Sequence, residues 1–444
     1  MNVTTDTRES ERYGWYVVFV LCVCGVVAYI DRQIINLLVE DIKIDLGVSD
    51  TEISLLQGFA FAVFYALVAI PLGRVADSKN RRLLITAGIL AWTAAAVACG
   101  LAQSYPQLFV ARMFVGVGEA VLTPAGFSLL ADLFRPQRLA RPVSVFTASS
   151  FFGSGIALVV GGFIVNQLTA SGGVTLPVIG DVAVWQGAFI LGALPGIPVA
   201  IWFFLSVREP PRRATDTIQA DAAAYREGFS QAIRYVFANA RLFFAVFIGL
   251  SLMASAQFAL GAWIPAFFIR VHEWTAGDIG SLQGLLFLVC GTLGVISGGW
   301  ATDALRQRGY RDANLRTAVF AALLAIPFLT AVPAVADPYV AIVLLAPGMF
   351  FGTVPFGAGA AVIPTVSPPM FRAQLVALYL LVANLVGSAG GPWGVAFMTD
   401  AVFADDRAVG KSLMVVVPVL LAMGAAIATT GWRPLAAKTR DAND

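Results

Sequence analysis

Apolar residues run along this chain in long blocks, separated by short stretches in which Lys, Arg, Asp and Glu collect. A block of about 20 residues crosses a hydrocarbon layer about 30 Å thick at about 1.5 Å per helical residue. The pattern predicts membrane-spanning helices near 15–38, 51–74, 83–103, 106–133, 142–168 and 184–207. A second set follows near 241–269, 279–303, 315–335, 338–364, 373–400 and 411–431. The stretch from Arg208 to Asn239 separates the sets: it opens on Pro210-Pro211, carries Arg212, Arg213 and Asp216, and ends in a weakly amphipathic segment with Phe229, Ile233 and Phe237. The chain therefore divides into 1–207, a linker at 208–240 with a surface-lying helix, and 241–444. Ser171 to Asp181, between the fifth and sixth spans, reads as an external loop or short hairpin.

Composition agrees with many membrane spans and with no single soluble domain: of 444 residues 58% are hydrophobic and 13% charged, with mean hydropathy +0.80. A net charge of +2 from near-cancelling totals gives no reason to expect a nucleic-acid partner. The placement of the charges says more. The N-terminus and the connections after even-numbered spans hold Arg74, Lys79, Arg81, Arg82, Arg135, Arg138, Arg141, Arg208, Arg212 and Arg213. The opposite connections carry only Lys43, Arg270, Arg407 and Lys411, beside Glu40, Asp41, Asp45, Asp50, Asp181 and Asp406. Both termini are expected on the cytoplasmic side, and the first apolar run is too long, and lacks the small-residue site, for a removable signal peptide. The single histidine, His272, lies outside the predicted membrane interior, so Ser154 in Gly153-Ser154-Gly155 has no histidine partner and an enzyme is not expected. Cys22, Cys24, Cys99 and Cys290 all sit in apolar runs, and no metal site is expected.

The halves repeat each other. Ile53, Gln57-Gly58, Gly73 and Asp77 return as Ile279, Gln283-Gly284, Gly299 and Asp303, each 226 positions later. Six spans per half place the second copy in the same membrane orientation as the first, giving two pseudo-symmetric six-helix bundles in an all-α membrane protein of twelve helices. A substrate is then expected between the halves, near the middle of the membrane.

Against this apolar background four charges stand out. Arg112 and Glu119 lie in the fourth span, seven residues apart and so on one helix face, with Glu119 about 10 Å deeper. Asp31-Arg32 lies within the first span, and counting from the outer ends puts Asp31 level with Arg112. An ionised side chain at the bilayer centre costs about 2.5–3.5 kcal/mol on the insertion scale, so such residues face water or a partner and mark transport or proton paths. An Asp31–Arg112 ion pair is expected, with Glu119 lacking an evident partner and Arg32 either binding an anion or pairing with an acid. Asp31 and Glu119 are the candidate proton carriers. The second half holds no ionisable residue in its span interiors. There, Gln257 falls on the repeat position of Asp31, and Tyr379 and Asn384 on the eleventh span join it as candidate substrate contacts with Arg112 and Arg32. Phe258, Trp263, Phe350, Phe351 and Phe356 are available for an apolar lining.

Gly73-Arg-Val-Ala-Asp77-Ser-Lys-Asn-Arg81-Arg82 resembles the signature loop of the major facilitator superfamily, and Gly299-Trp-Ala-Thr-Asp303 its degenerate second copy. The Arg112 to Glu119 segment is similar to the superfamily's fourth-helix motif, and Gly387-Ser-Ala-Gly-Gly-Pro-Trp-Gly to its glycine-rich packing segment. This resemblance implies a conformational latch of Gly73, Asp77, Arg81, Arg82, Arg138, Gly299 and Asp303. Tyr29-x-Asp31-Arg32, Gly118-Glu119-Ala120 and Thr51-Glu-Ile-Ser-Leu-Leu-Gln57-Gly58 further resemble the spinster family, whose animal members include sphingosine-1-phosphate and lysophospholipid exporters. The implied function is proton-coupled alternating-access transport of an anionic amphiphile by a monomer in a bacterial inner membrane. A proton gradient serves in place of any cofactor, and protons and membrane lipids are the other partners. The alternatives are a symporter of organic anions or sugar acids, whose first helix the Asp31-Arg32 pair also resembles, and an uncoupled lipid scramblase.

Overall fold

The computed structural model describes residues 3–135, 138–176, 180–211, 222–360, 362–368 and 372–441. Among them twelve helices are long and apolar enough to cross a membrane. Spans 1 to 6 are Glu11–Leu37, Asp50–Ala69, Arg81–Gly100, Tyr105–Leu133, Arg141–Ala170 and Val184–Ser206. Spans 7 to 12 are Ala240–His272, Ala276–Gln307, Ala313–Ala334, Pro338–Gly359, Gln374–Phe403 and Asp406–Thr429.

At two starts that move from the apolar boundaries, polar caps account for the shift. Span 3 starts at Arg81 because Asn80 Oδ1 accepts the Leu83 amide at 3.0 Å. Span 8 starts at Ala276, ahead of the apolar run, because Thr275 and Asp278 cap each other: the Asp278 amide donates to Thr275 Oγ1 at 3.1 Å and the Thr275 amide to Asp278 Oδ2 at 3.2 Å. The connection between spans 5 and 6 forms a hairpin, with Val174–Leu176 antiparallel to Gly180–Val182. Part of the linker, 212–221, lies outside the described residues. Its remainder holds the helix Ala222–Ala238, which buries Ala232, donates from Tyr235 Oη to the Val366 carbonyl at 2.8 Å and leaves Phe237 exposed. A last helix, Trp432–Asp441, follows span 12.

Two compact units result, and they do not follow the linker alone. The first comprises Met1–Ser49, Ala60–Ala214 and Trp274–Leu288; the second comprises Asp50–Phe59, Thr215–Glu273 and Val289–Asp444. Span 2 thus changes unit at Phe59 and span 8 at Leu288, and both changes fall at wide π-helical turns, Leu55–Phe59 and Phe287–Gly291.

In the first unit span 1 lies along span 5, and span 3 packs on spans 4 and 6. Because lipid is as apolar as the helices, close backbone approach at small residues does the work that water would do elsewhere. At Gly116 a Cβ would lie 2.6 Å from the Phe61 carbonyl oxygen of span 2, so any larger residue would push span 4 away. In the second unit span 7 packs on spans 10, 11 and 12, burying Trp263, Phe267 and Phe268, with Trp263 Nε1 donating to the Pro392 carbonyl at 2.9 Å.

Candidate functional site

Span 4 brings Arg112 and Glu119 to the same buried face, and span 1 brings Asp31 and Arg32 against it; Asp31, Arg112 and Glu119 are each 1% exposed. Asp31 and Arg112 do come together, but not through the ion pair expected of them. Arg112 Nη1 donates to the main-chain carbonyl of Asp31 at 2.8 Å, and neither carboxylate oxygen of Asp31 accepts a hydrogen bond. The α-helix of span 1 stops at Ile34 and tightens into a 3-10 turn at Ile35–Leu37, so the guanidinium meets the chain one turn before the helix changes pitch. A carbonyl oxygen has two lone pairs, and the guanidinium takes one of them.

Glu119, expected without a partner, has one. Arg32 Nε donates to Glu119 Oε2 at 2.5 Å and Arg32 Nη2 contacts the same oxygen, while Glu119 Oε1 accepts no hydrogen bond. Of the two readings open for Arg32, the acid pair is the one formed. Its guanidinium also stands over the rings of Tyr29, Phe61 and Tyr65, at 4.9, 4.2 and 5.2 Å from their centroids. Sequence reasoning missed these rings. Phe61 and Tyr65 are spaced i, i+4 and so share a helix face, which was the available signal.

The candidate latch residues take several positions. Arg81, 1% exposed, pairs with Asp132 and with Glu209, Nε to Oε1 at 2.7 Å, and donates to the Ser128 carbonyl at 3.0 Å. Arg82 donates from its amide to Glu209 Oε2 at 3.0 Å and from Nε to the Phe204 carbonyl at 2.7 Å. Arg138 pairs with Glu11. The side chain of Asp77 lies outside the described residues. The motif glycines have room around them: a Cβ on Gly73 would meet Pro124 only at 3.8 Å, and one on Gly299 would meet nothing within 4 Å. Asp303 sits at the surface, 3.9 Å from Arg306 of its own helix.

In the second unit Gln257 is buried against Gly352, and its Oε1 accepts no hydrogen bond. Tyr379 packs on Phe247 with ring centroids 5.8 Å apart, and Asn384 donates to the Leu380 carbonyl of its own helix at 2.8 Å. The strongest polar contact of this unit was not anticipated. Arg270 Nη1 and Nη2 donate to Asp50 Oδ2 and Oδ1 at 2.6 and 2.7 Å, and Nη1 also to the Asp406 carbonyl at 3.1 Å. Carboxylate oxygens of Asp50, Asp400 and Asp406 lie within 4.8 Å of one another, and Asp400 Oδ2 accepts from Thr51 N and Oγ1 at 2.6 and 2.7 Å. In sequence these residues look like ordinary external loop charges. The one hint was an arginine among connections otherwise rich in acids.

A family profile described as Major Facilitator Superfamily matches residues 21–392. The chain belongs to the Major Facilitator Superfamily. It is a multi-pass membrane transporter and not an enzyme. It is 28% identical over 428 residues to an MFS-type efflux pump of Mycolicibacterium smegmatis, covering 95% of this chain and 94% of that one. It is 27% identical to the sphingosine-1-phosphate transporter SPNS2 of Mus musculus, over 86% of this chain and 69% of the relative. With the Probable L-galactonate transporter of Escherichia coli it shares 26% identity over 71% of this chain and 67% of the relative. In fold it is similar to a bacterial homolog of the human lysosomal transporter Spinster, solved in an inward-facing, unoccupied conformation, with TM-score 0.76, 23% identity and coverage of 96% and 97% of the two chains. The spinster resemblance read from the first-half motifs thus extends over most of this superfamily member's length.

Proposed function

We propose that this transporter couples proton movement to the movement of an anionic amphiphile, such as a lysolipid or sphingosine-phosphate-like lipid, by alternating access. The observation that carries the reading is the Asp31 carboxyl, buried within a span, with no hydrogen bond to either oxygen, beside Arg112 and the Arg32–Glu119 pair. A charge that nothing nearby solvates is relieved by taking up a proton. With all four groups ionised the cluster is neutral; one added proton leaves a net positive charge, which an anionic head group neutralises. Release of Arg32 from Glu119 by protonation offers the head a planar, two-pronged donor, and the Tyr29, Phe61 and Tyr65 rings offer apolar surface beside it. The relation to a sphingosine-1-phosphate transporter supports the lipid class. The transporter acts as a monomer and draws on the proton gradient with no cofactor. The arginine excess after even-numbered spans favours cytoplasmic termini in a bacterial inner membrane.

A second reading, symport of organic anions or sugar acids, is favoured by the L-galactonate relative. Proteoliposomes containing a pH-reporting dye separate the two. Added lysolipid or sphingosine phosphate is expected to change luminal pH with the wild type, its sign giving the relative direction of proton and lipid, and Glu119→Gln or Asp31→Asn is expected to reduce the change to that of empty liposomes. Undiminished lipid-driven flux in either variant would refute the coupling. A response to sugar acid alone would establish the second reading, and lipid transfer with no proton signal an uncoupled scramblase.

A further inference from the structure

At the end of span 12, the turn between spans 8 and 9 and the start of the C-terminal helix border an open cavity of about 380 Å³. Its walls include Tyr310, Arg311, Arg316, Trp432 and Arg433. Gly309, at φ +90°, makes the turn that brings Tyr310 and Arg311 round. The helix is tied down over this turn: Leu435 is 1% exposed, Thr439 Oγ1 donates to the Arg311 carbonyl at 3.3 Å, and Lys438 Nζ stands 4.9 Å from the Tyr235 ring.

The three arginines play unequal parts. Arg316 is a fixed wall, its guanidinium held between the rings of Tyr310 and Trp432 at 4.8 and 4.6 Å and bonded to Asp312 Oδ1 at 2.7 Å. Asp312, the one acid of the cavity, is committed to that pair. Arg311 and Arg433 are exposed, and neither side chain has an ion-pair or hydrogen-bond partner among the described residues. Among the described residues the site therefore holds two cations that no acid pairs. Span 9 and the C-terminal helix both begin here, at Ala313 and Trp432, so their positive ends add to the same field.

We infer that this cavity binds the phosphate head group of an anionic phospholipid, at a site separate from that of the transported substrate. A phosphate is the chemistry that unpaired arginines at helix N-termini recognise. A lipid, more than free phosphate, suits the surroundings: Trp432 lies 6.5 Å, ring to ring, from Phe320 of span 9, and Phe320, Leu323 and Leu324 form an exposed apolar track on that span. An acyl chain follows the track while its head remains in the cavity. Tyr and Trp sit where such amphipathic rings belong, at the boundary of hydrocarbon and water.

The test uses the purified full-length protein in neutral detergent, titrated with phosphatidylglycerol or phosphatidylcholine in mixed micelles, and separately with inorganic phosphate, following binding by native mass spectrometry and the rise in melting temperature. Phosphatidylglycerol is expected to bind and stabilise the wild type, and phosphatidylcholine is not. Arg311→Gln/Arg433→Gln, two exposed positions that folding tolerates, is expected to bind phosphatidylglycerol about thirty-fold more weakly. Arg135→Gln/Arg234→Gln, which removes equal charge elsewhere, is expected to bind as the wild type does. Equal loss in both double variants, or none in the first, would overturn the site. Stabilisation by inorganic phosphate to the same extent would overturn its assignment to a lipid.

Discussion

Arg270→Gln is expected to destabilise the detergent-solubilised transporter by about 3–5 kcal/mol, the cost of leaving a buried charge without its partner. Arg270 is 9% exposed and Asp50 fully buried, and the guanidinium makes two parallel bonds to that carboxylate. Removing the arginine does more than break one pair, because the Asp400 and Asp406 carboxylates lie within 4.8 Å of the Asp50 carboxylate. Three acids would then face one another at the ends of spans 2, 11 and 12. Asp50→Asn should cost less, since Arg270 keeps the Asp406 carbonyl and has two acids nearby. The asymmetry is the distinctive part of the expectation. Thermal unfolding of the two single variants and of Asp50→Asn/Arg270→Gln measures it: the double variant should be more stable than Arg270→Gln alone. Losses of the same size from both single changes would show that the acids do not act on Arg270 as a group.

Gly284→Leu is expected to cut transport by about five- to 150-fold, through a helix contact and not through the charged cluster. In the first unit a Cβ on Gly284 would lie 2.6 Å from the Gly155 carbonyl oxygen, and one on Gly155 would lie 2.7 Å from that of Gly284. The backbones of spans 5 and 8 touch there, so no side-chain rotation makes room. Overpacking of this kind costs about 1–3 kcal/mol, and if only the packed arrangement bears the cost, its population falls by the factor stated. A cysteine at Leu158, 0% exposed and with its carbonyl 2.8 Å from a Cβ built on Gly280, reports the same event. With the four native cysteines replaced by alanine, Leu158→Cys should react faster with a water-soluble maleimide when Gly284→Leu is added, and Gly284→Ala should fall between. Unchanged labelling alongside lost transport would place the defect elsewhere.

The spans could be read from the sequence because the need to shield apolar length is local: each block carries its own signal. The same holds for Asp31, Arg32, Arg112 and Glu119, which are conspicuous because each is costly where it stands. Their pairing could not be read. It depends on how far the Arg112 side chain reaches along span 1 and on the side from which Phe61 and Tyr65 of span 2 approach, and both are set by packing. The Asp50–Arg270 contact was hidden for the opposite reason, since charges at span ends are common and depth alone does not separate a buried one from a wet one. The repeated Gly-x-x-x-Asp pattern did not mark where helices touch: neither Gly73 nor Gly299 has a close neighbour, whereas at Gly116, Gly155, Gly284 and Gly298, among others, a carbonyl of a neighbouring span lies under 3 Å from the place of a Cβ.

The division of spans 2 and 8 at their wide turns bears on the protein's ancestry. A duplicated half would be expected to remain a cassette, exchangeable with its copy or with a cousin's. Here residues 50–59 of the first half complete the second unit, and residues 274–288 of the second half complete the first. Neither polypeptide half holds the whole of one compact unit, and each contributes a strap to the other. Heritable change in one strap must be matched by change in the unit that receives it, and a hybrid joined at the linker would inherit two mismatches at once.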